Sequence, residues 1–270
     1  MQPVPMRPKS DRSKPGRVLR AVAVAAVLSA TGTSCARDAS SADAPPPPPP
    51  GDHFVALTGD DASAGTQQSP WRTLQAAIDR MQPGEVLVVE DGTWAGPLRL
   101  SVLGEADAPV TIRARNSGAA VVDGGGAGRA IADGGDGLAH LRLEGLRITG
   151  ADRGFDLTGD VVDLTVRDCT IDRCEHAFLC AAGSNLRLEG LQVLDCADGI
   201  GLGVKGRTGI DGVRIADCSV IYDSAEEGDR NTDAFRVEGL CTDVLISGSE
   251  GAGFDDAGFD IKADGATIER

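Results

Sequence analysis

The second half of the chain is built from short runs in which apolar and polar residues alternate. From Leu141 onward, each repeat holds three such runs, separated by turns rich in Gly, Asp and Asn. A period of two is typical of a β-strand with one buried face. The first run of successive repeats begins at Leu141, Leu164, Leu186, Val213, Val244 and Ala266, at intervals of 22 to 31 residues. Three short strands cannot bury a core alone, but stacked repeats can. The pattern therefore predicts an all-β, right-handed parallel β-helix with three short strands per coil.

The third run of each repeat begins with a large apolar residue that fixes the register between coils. These anchor residues are Phe155, Phe178, Ile200, Phe235 and Phe259. Parallel strands of neighbouring coils lie ~4.8 Å apart, so equivalent residues stack into inward columns. Stacking of the last two anchors would place Asp260 beside Arg236 on the outer face. In the same register, Lys262 would lie beside Glu238.

The segment before the repeats predicts two strands with a helix between them. His53–Leu57 and Glu85–Val89 are strand-like. Residues 69–81 predict a helix, with Ser69 as the N-cap and Pro70 at the first helical position. An apolar stripe on this helix consists of Leu74, Ile78 and Met81. Because a β-helix exposes its core at an open end, we expect this α-helix to cap the N-terminal end of the coils.

Residues 1–35 carry the features of an export signal. Basic side chains precede an apolar run of about ten residues, which is too short to span a bilayer. The small residues before Cys35 resemble a lipobox, and acylation of Cys35 would make the protein a cell-envelope lipoprotein. Cleavage after Ala36 would instead release a secreted protein. Residues 36–51 form a stiff proline-rich spacer, and residues 52–270 form the β-helix domain.

The charge of the chain limits its partners. The formal net charge is −15, and without the signal segment the chain keeps 20 basic against 40 acidic side chains. Such a charge repels nucleic acid and anionic lipid, so we expect no nucleic acid, and a membrane only through the lipid anchor. An acidic polysaccharide would also be repelled unless a cation bridged the two. We expect the domain to be a monomer.

Six cysteines follow Cys35. In the predicted register, Cys169 and Cys218 share one inward column, whereas Cys174 and Cys196 occupy another in adjacent coils. Cysteine as a small buried stacking residue is the favoured interpretation. The alternative is a disulfide between Cys174 and Cys196, because stacked neighbours are at a plausible distance for one in an oxidising compartment.

Three stretches of the chain carry a resemblance to known proteins. Residues 53–94, with Ser-Pro-Trp-Arg-Thr-Leu-Gln-Ala-Ala at 69–77, are similar to the start of bacterial pectate-lyase-like β-helix proteins. Residues 231–235, Asn-Thr-Asp-Ala-Phe, and residues 255–260, Asp-Asp-Ala-Gly-Phe-Asp, resemble two motifs of family 9 polysaccharide lyases. The resemblance implies an exported, calcium-dependent lyase of the pectate type, or a remnant of one, that acts on uronate-containing polysaccharide. The fold by itself does not fix an activity.

In the resembled family, aspartates of these two motifs bind a Ca²⁺ ion on the outside of the helix. Carried over residue by residue, Asp233, Asp256 and Asp260 match three calcium ligands. The fourth position falls on Ala257, which cannot bind metal, and Asp255 one place earlier is the candidate substitute. Ca²⁺ takes about six to eight oxygen ligands, and carboxylates on adjacent coils can supply several. The alternative is that these are ordinary turn residues, since Asp and Gly suit turns.

A lyase of this kind also needs a base that removes the C5 proton beside the uronate carboxylate. Lys262 is the candidate catalytic residue, because Lys205 is the only other lysine after the signal segment and Lys262 leaves the same face as Asp260. Arg236 is the candidate substrate-binding cation. In the resembled family the catalytic lysine lies in a coil further on, and the sequence stops at Arg270 in the first strand of a new coil. We therefore expect the domain to be incomplete at its C-terminus. The alternative function is a non-catalytic surface β-helix for glycan binding or envelope structure.

Overall fold

A computed structural model describes residues 52–101, 104–135, 137–222, 233–254 and 257–269. These residues form a parallel β-helix of about seven coils, as the repeats predict. The signal segment, the proline-rich spacer and Cys35 lie outside the described residues, and so do Asp255 and Asp256. No helix within the described ranges is long and apolar enough to cross a membrane.

Each coil contributes one segment to each of three faces, named A, B and C in chain order. Face A contains β1 (Asp52–Val55), β2 (Val86–Val89), β5 (Val110–Ala114), β8 (Leu138–Glu144), β13 (Ile210–Ala216), β16 (Thr242–Ser247) and β19 (Thr267–Glu269). Face B contains β3 (Gly92–Ala95), β6 (Ala120–Asp123), β11 (Gln192–Leu194), β14 (Ser219–Ile221) and β17 (Glu250–Ala252). Face C contains β4 (Leu98–Leu100), β7 (Arg129–Asp133), β12 (Asp198–Leu202), β15 (Asp233–Val237) and β18 (Ala257–Ile261). Two long strands, β9 (Arg147–Arg167) and β10 (Thr170–Glu189), run through faces B and C into face A of the next coil.

The strands of each face pair in parallel with their equivalents one coil away, in the predicted register. On face C the anchors pair in sequence: Phe155, Phe178, Ile200, Phe235 and Phe259. The rings of the last two stack with centroids 4.7 Å apart and planes within 3°. The inward columns form one continuous apolar core. Because side chains alternate across a strand, the residues directly after the last two anchors, Arg236 and Asp260, point outward.

The predicted helix is present only as a short one, and its predicted start is wrong. α1 (Leu74–Ile78) has five residues, and Thr73 rather than Ser69 is its N-cap. The residues before it are extended, because the backbone N–H of Trp71 donates to the carbonyl of Phe54 and Trp71 bridges to Val55 in parallel. Pairing with face A thus overrides the local helix signal. The capping role of α1 stays a prediction.

Aspartate fills many turns between the faces. The non-glycine residues with positive φ are His140, Asp163, Asp168, Arg173, Asn185, Asp195, Asp217 and Asp243. Asp and Asn tolerate this left-handed conformation because their short side chains can bond to the local backbone. Several of the acidic residues of the chain are therefore explained by their role in turns.

The six cysteines after Cys35 are buried free thiols, in agreement with a role as small core residues. The backbone N–H of Cys174 donates to Sγ of Cys196 at 3.4 Å, so these two cysteines stack in adjacent coils as predicted, without a disulfide. Burial raises the pKa of the Cys169 and Cys180 thiols to about 12. Their thiolates are correspondingly scarce at neutral pH.

Candidate functional site

Face C carries a row of charged or titratable residues, each two positions before an anchor or before Ile131, the register partner of Phe155. Strict alternation would turn such residues inward, but all of them except Asp233 are at least partly exposed. This outer row consists of Arg129, Arg153, His176, Asp198 and Asp233. Its members are 22 to 35 residues apart in the chain, yet the parallel register places them in successive coils. The row therefore crosses the strands and runs along the axis of the β-helix.

At one end of the outer row, two arginines hold a buried carboxylate. Asp156 is 2% exposed, accepts a hydrogen bond from Nη1 of Arg153 at 3.2 Å and forms an ion pair with Nε of Arg129 at 2.5 Å. Two guanidinium groups against one carboxylate leave an excess positive charge here. A hollow of about 570 Å³ lies beside this pair and is lined in part by Arg99 and Arg129. Asp133 also lines it and keeps its negative charge, so Arg99, Arg129 and Arg153 exceed Asp133 and Asp156 by one positive charge. This end of face C can therefore bind an anion.

In the middle of face C, His176, Asp198 and Arg236 meet from three consecutive coils. Oδ2 of Asp198 lies 2.7 Å from Nδ1 of His176 and 3.8 Å from Nη1 of Arg236. The first contact is off the line of a hydrogen bond. Within the described residues, Nδ1 of His176 and Oδ1 of Asp198 are buried and have no hydrogen-bond partner. The His176 side chain is nevertheless 29% exposed, so part of the ring is accessible to a ligand.

Gly201 provides the space in which Arg236 lies. A Cβ at Gly201 would stand 3.2 Å from Nη2 of Arg236 and 2.8 Å from Cδ2 of Leu179. Arg236 therefore extends from β15 across Gly201 towards Asp198. Gly201 and Asp198 both lie in β12. Any side chain at Gly201 would displace the guanidinium group.

The predicted metal ligands lie at the other end of face C. Asp233 begins β15 and is buried, and its register partner is Ala257. Asp260 pairs with Arg236, as predicted, and so stands three positions beyond Asp233 along the face. Within the described ranges, no group of three or more His, Cys, Asp or Glu side chains could hold a metal ion. Two carboxylates are too few for Ca²⁺, which takes about six to eight oxygens.

The described residues by themselves therefore do not fit a calcium ion. The two predicted ligands that would enlarge the set, Asp255 and Asp256, lie outside them. Calcium binding stays a prediction.

Lys262, the predicted base, is held in ion pairs. Its Nζ donates to Oδ2 of Asp260 and to Oε1 of Glu238, the latter at 3.3 Å. The hydrogen bond to Asp260, followed by that to Glu238, raises the pKa of the Lys262 ammonium above its ordinary value. A base must be deprotonated to accept a proton, so this arrangement opposes the predicted role. The predicted position of Lys262 beside Glu238 is confirmed, and the two form an ion pair, whereas the guanidinium group of Arg236 lies nearest to Asp198.

His176 and Asp198 are candidate functional residues that the two motifs did not identify. They are 22 residues apart and match no metal or catalytic spacing. A signal was nevertheless present, since each lies two positions before an anchor, as Asp233 does. Alignment of the repeats on their anchors would have placed all three in one row.

No protein-family model and no curated protein matches the sequence significantly. Solved structures do match. An alginate lyase from Paenibacillus sp. str. FPU-7 superposes with a TM-score of 0.59 at 19% identity, over 72% of this chain and 71% of that one. A rhamnogalacturonan lyase gives a TM-score of 0.53 at 16% identity, over 79% of this chain and 62% of that one. This chain shares the parallel β-helix fold of these two lyases.

Pectate lyase Pel9A also superposes on this chain, with a TM-score of 0.48 at 13% identity, over 80% of this chain and 78% of that one. At these identities the similarity shows the fold and not the activity. This chain spans less than two thirds of the length of the rhamnogalacturonan lyase. The chemistry of the site therefore depends on its own residues.

Proposed function

We propose that this protein binds an acidic, uronate-containing polysaccharide along the outer surface of face C and cleaves it by β-elimination. The observation that carries the proposal is the outer row, in which Arg129, Arg153, His176, Asp198 and Asp233 follow one another from coil to coil. A polymer lying along the axis would meet each of these side chains in turn. The alginate and rhamnogalacturonan lyases that share the fold act, by their names, on such polymers.

The distribution of charge supports an anionic ligand on this face. The whole chain has a net charge of −15, so a polyanion is repelled except where cations are concentrated. Arg129 and Arg153 exceed their single partner Asp156 in charge. Arg236 lies 3.8 Å from Asp198, which leaves its donors free to bind a uronate carboxylate as predicted. A second hollow of about 600 Å³, outside face C, is lined by Glu144 and Asp168 and suits an anion less well.

Calcium is part of the proposal, as a bridge between the acidic end of face C and the polyanion. Asp233 and Asp260 supply two carboxylates on adjacent coils, and Asp256 or Asp255 would have to complete the set. Calorimetric titration with Ca²⁺ should give saturable binding that Asp260→Ala weakens. Heat no greater than that of dilution would remove calcium from the proposal. Export through residues 1–35, with acylation at Cys35 or cleavage after Ala36, would place the domain where such polymers occur.

The test is a survey of uronate polymers. The protein is incubated with polygalacturonate, alginate and a glycosaminoglycan, with Ca²⁺ or with a chelator, and unsaturated uronate ends are followed by ultraviolet absorbance. We expect product from one polymer, and less of it in the chelator. No product and no binding with any polymer would overturn the proposal.

A second candidate function is non-catalytic glycan binding. It is favoured by one observation, the engagement of Lys262 with Asp260 and Glu238. This alternative predicts binding without product. It also predicts that Ca²⁺ leaves the melting temperature unchanged, and that Asp260→Ala leaves glycan binding intact.

A further inference from the structure

We propose that His176, oriented by Asp198 and flanked by Arg236, is the residue that exchanges a proton with the sugar on face C. The inference rests on the proposed function, because it names the acid–base group of the proposed cleavage. It differs from the motif-based assignment, which gave that role to Lys262.

The first support is the orientation of the ring. Nδ1 of His176 is buried 2.7 Å from Oδ2 of Asp198, while the side chain as a whole is 29% exposed. A carboxylate at Nδ1 favours the tautomer with a proton on Nδ1, which leaves the lone pair on Nε2 as the proton acceptor. His176 also stands at the centre of the outer row, between Arg153 and Asp198, where a bound polymer must pass.

The second support is the incomplete bonding of the site. Buried polar atoms in native proteins are nearly always hydrogen-bonded. Among the described residues, Oδ1 of Asp198 is an exception, although Oδ2 of the same carboxylate contacts His176. By contrast, the carboxylate of Asp156 one coil before His176 forms ion pairs with two arginines. An acceptor that is left without a donor can be completed by a donor of a bound ligand.

The third support is the position of Arg236. Nδ1 of His176 and Nη1 of Arg236 approach the same oxygen of Asp198, at 2.7 and 3.8 Å. A uronate carboxylate bound by Arg236 would therefore hold its own C5–H bond close to His176. Arg236 would also stabilise the negative charge that develops on that carboxylate as the proton leaves.

The proposed step is a β-elimination. Nε2 of His176 takes the C5 proton, and the electron pair of the C5–H bond forms the C4–C5 double bond. The C4–O bond breaks, and its electron pair leaves with the glycosidic oxygen, which takes a proton from water. The hydroxide so formed takes the proton from His176, which restores the neutral ring. No oxidant or further reactant is required.

Charged groups around the His176 ring influence how the rate of this step depends on pH. These groups are Arg153 from β9, Asp198 from β12 and Arg236 from β15. Glu175 is the neighbour of His176 in β10. A matched control exists on face A. His140 contacts Asp163, but it lies away from the outer row and its ring is hydrogen-bonded.

The first arm of the experiment detects the sugar at the ring without requiring turnover. The histidine Cε1–H resonances of the full chain are followed by NMR during titration with the trimers of galacturonate, mannuronate and guluronate. We expect one trimer to shift the resonance of His176 while that of His140 stays in place. Absence of any shift at His176 with all three trimers would overturn the inference.

The second arm measures turnover with the polymer that the wild-type protein cleaves. We expect His176→Gln to lower kcat by about 100-fold or more, with a smaller change in KM, and to remove the acidic limb of the pH profile. His140→Gln should stay within about twofold of wild type, because His140 takes no part in the proton transfer. An active His176→Gln protein beside an inactive Lys262→Met protein would overturn the inference and leave the proposed function standing. A wild-type protein that shifts the His176 resonance but cleaves no polymer would overturn the cleavage and leave a uronate-binding site.

Discussion

Two histidine–aspartate–arginine triplets stand out among the described residues, each drawn from three consecutive coils, and they differ in how completely they are hydrogen-bonded. On face A, Nδ1 of His140 lies 3.1 Å from Oδ2 of Asp163, and Nη1 of Arg187 donates to Oδ1 at 2.9 Å. Both oxygens of Asp163 are therefore bonded. On face C, Asp198 has one buried oxygen without a hydrogen bond among the described residues, and its arginine stands 3.8 Å away.

The difference shows which triplet is structural and which is available to a ligand. Asp163 is 34% exposed and fully paired, so a ligand has little to offer it. Asp198 is 15% exposed, and its Oδ1 is buried without a hydrogen bond among the described residues. An unsatisfied buried group costs about 1–3 kcal/mol, a cost that bound sugar could offset. The same three residue types thus serve the fold on one face and binding on the other.

The largest expected effect on stability comes from truncating a core side chain beneath the face C triplet. Phe178 is fully buried under face C and packs against Phe155 with ring centroids 5.1 Å apart. We expect Phe178→Ala to lower the free energy of unfolding by about 3–5 kcal/mol, because it leaves a cavity as well as losing apolar burial. Urea denaturation measures the loss. The NMR signal of His176 should move in this variant, and that of His140 should not.

Phe178→Leu is the control for this variant. It keeps most of the buried volume, so we expect a loss of about 1.5 kcal/mol or less. If Phe178→Ala lost no more than Phe178→Leu, the column of anchors would not be the support of face C.

An intermediate effect is expected from filling the space over Gly201. A Cβ there would meet only the ends of two side chains, Leu179 and Arg236, so the fold should tolerate Gly201→Ala at a cost of about 1 kcal/mol. The guanidinium group would be pushed away from Asp198. We expect kcat/KM on the cleaved polymer to fall by about 10- to 100-fold, since small displacements of a positioning group are costly.

A double-mutant cycle tests whether Gly201 acts through Arg236. In an Arg236→Gln background, Gly201→Ala should have little further effect on kcat/KM, because the group it displaces is already gone. Additive losses would show that Gly201 supports the site in some other way. Face A differs in this respect, because Arg187 is hydrogen-bonded directly to Asp163.

The fold could be predicted from the sequence because the coils repeat the same information. The anchors alternate with outward residues at a period of two, and stacking of Phe259 on Phe235 set the register of the last coils correctly. The helix was harder to predict because the strand pairing that competes with it involves residues distant in the sequence. Ser69 and Pro70 signal a helix start, but the pairing of Trp71 with Val55 keeps the chain extended there.

The site could be predicted only in part, since its bonding depends on direction as well as register. The sequence placed Arg236 beside Asp260, and this register is confirmed. It could not show that Arg236 turns instead across Gly201 towards Asp198, because that depends on the absence of a side chain one coil earlier. It also could not show that one histidine–aspartate contact is bonded and another is not.

The smallest expected effect is a pH-dependent difference in stability between the two aspartates. The hydrogen bond from His140, and then that from Arg187, lowers the pKa of Asp163 below its ordinary value of 3.8. A lowered pKa means that the folded state favours the ionised carboxylate, so this stabilisation is complete well above pH 4 and is lost as the pH falls through the folded-state pKa. Because Asp163 is partly exposed, we expect Asp163→Asn to cost only about 0.5–1 kcal/mol at pH 7, and less at pH 3.

Asp198→Asn should behave differently at pH 7, because the buried oxygen Oδ1 has no hydrogen bond among the described residues to lose. We expect the free energy of unfolding of Asp198→Asn to stay within about 0.5 kcal/mol of wild type, or to rise. A rise is expected because functional sites are often less stable than the same site without its functional residue. Urea denaturation of both variants at pH 7 and pH 3 gives the comparison. Equal losses at pH 7 would mean that Asp198 is bonded as completely as Asp163, and the distinction between a structural and an available triplet would then fail.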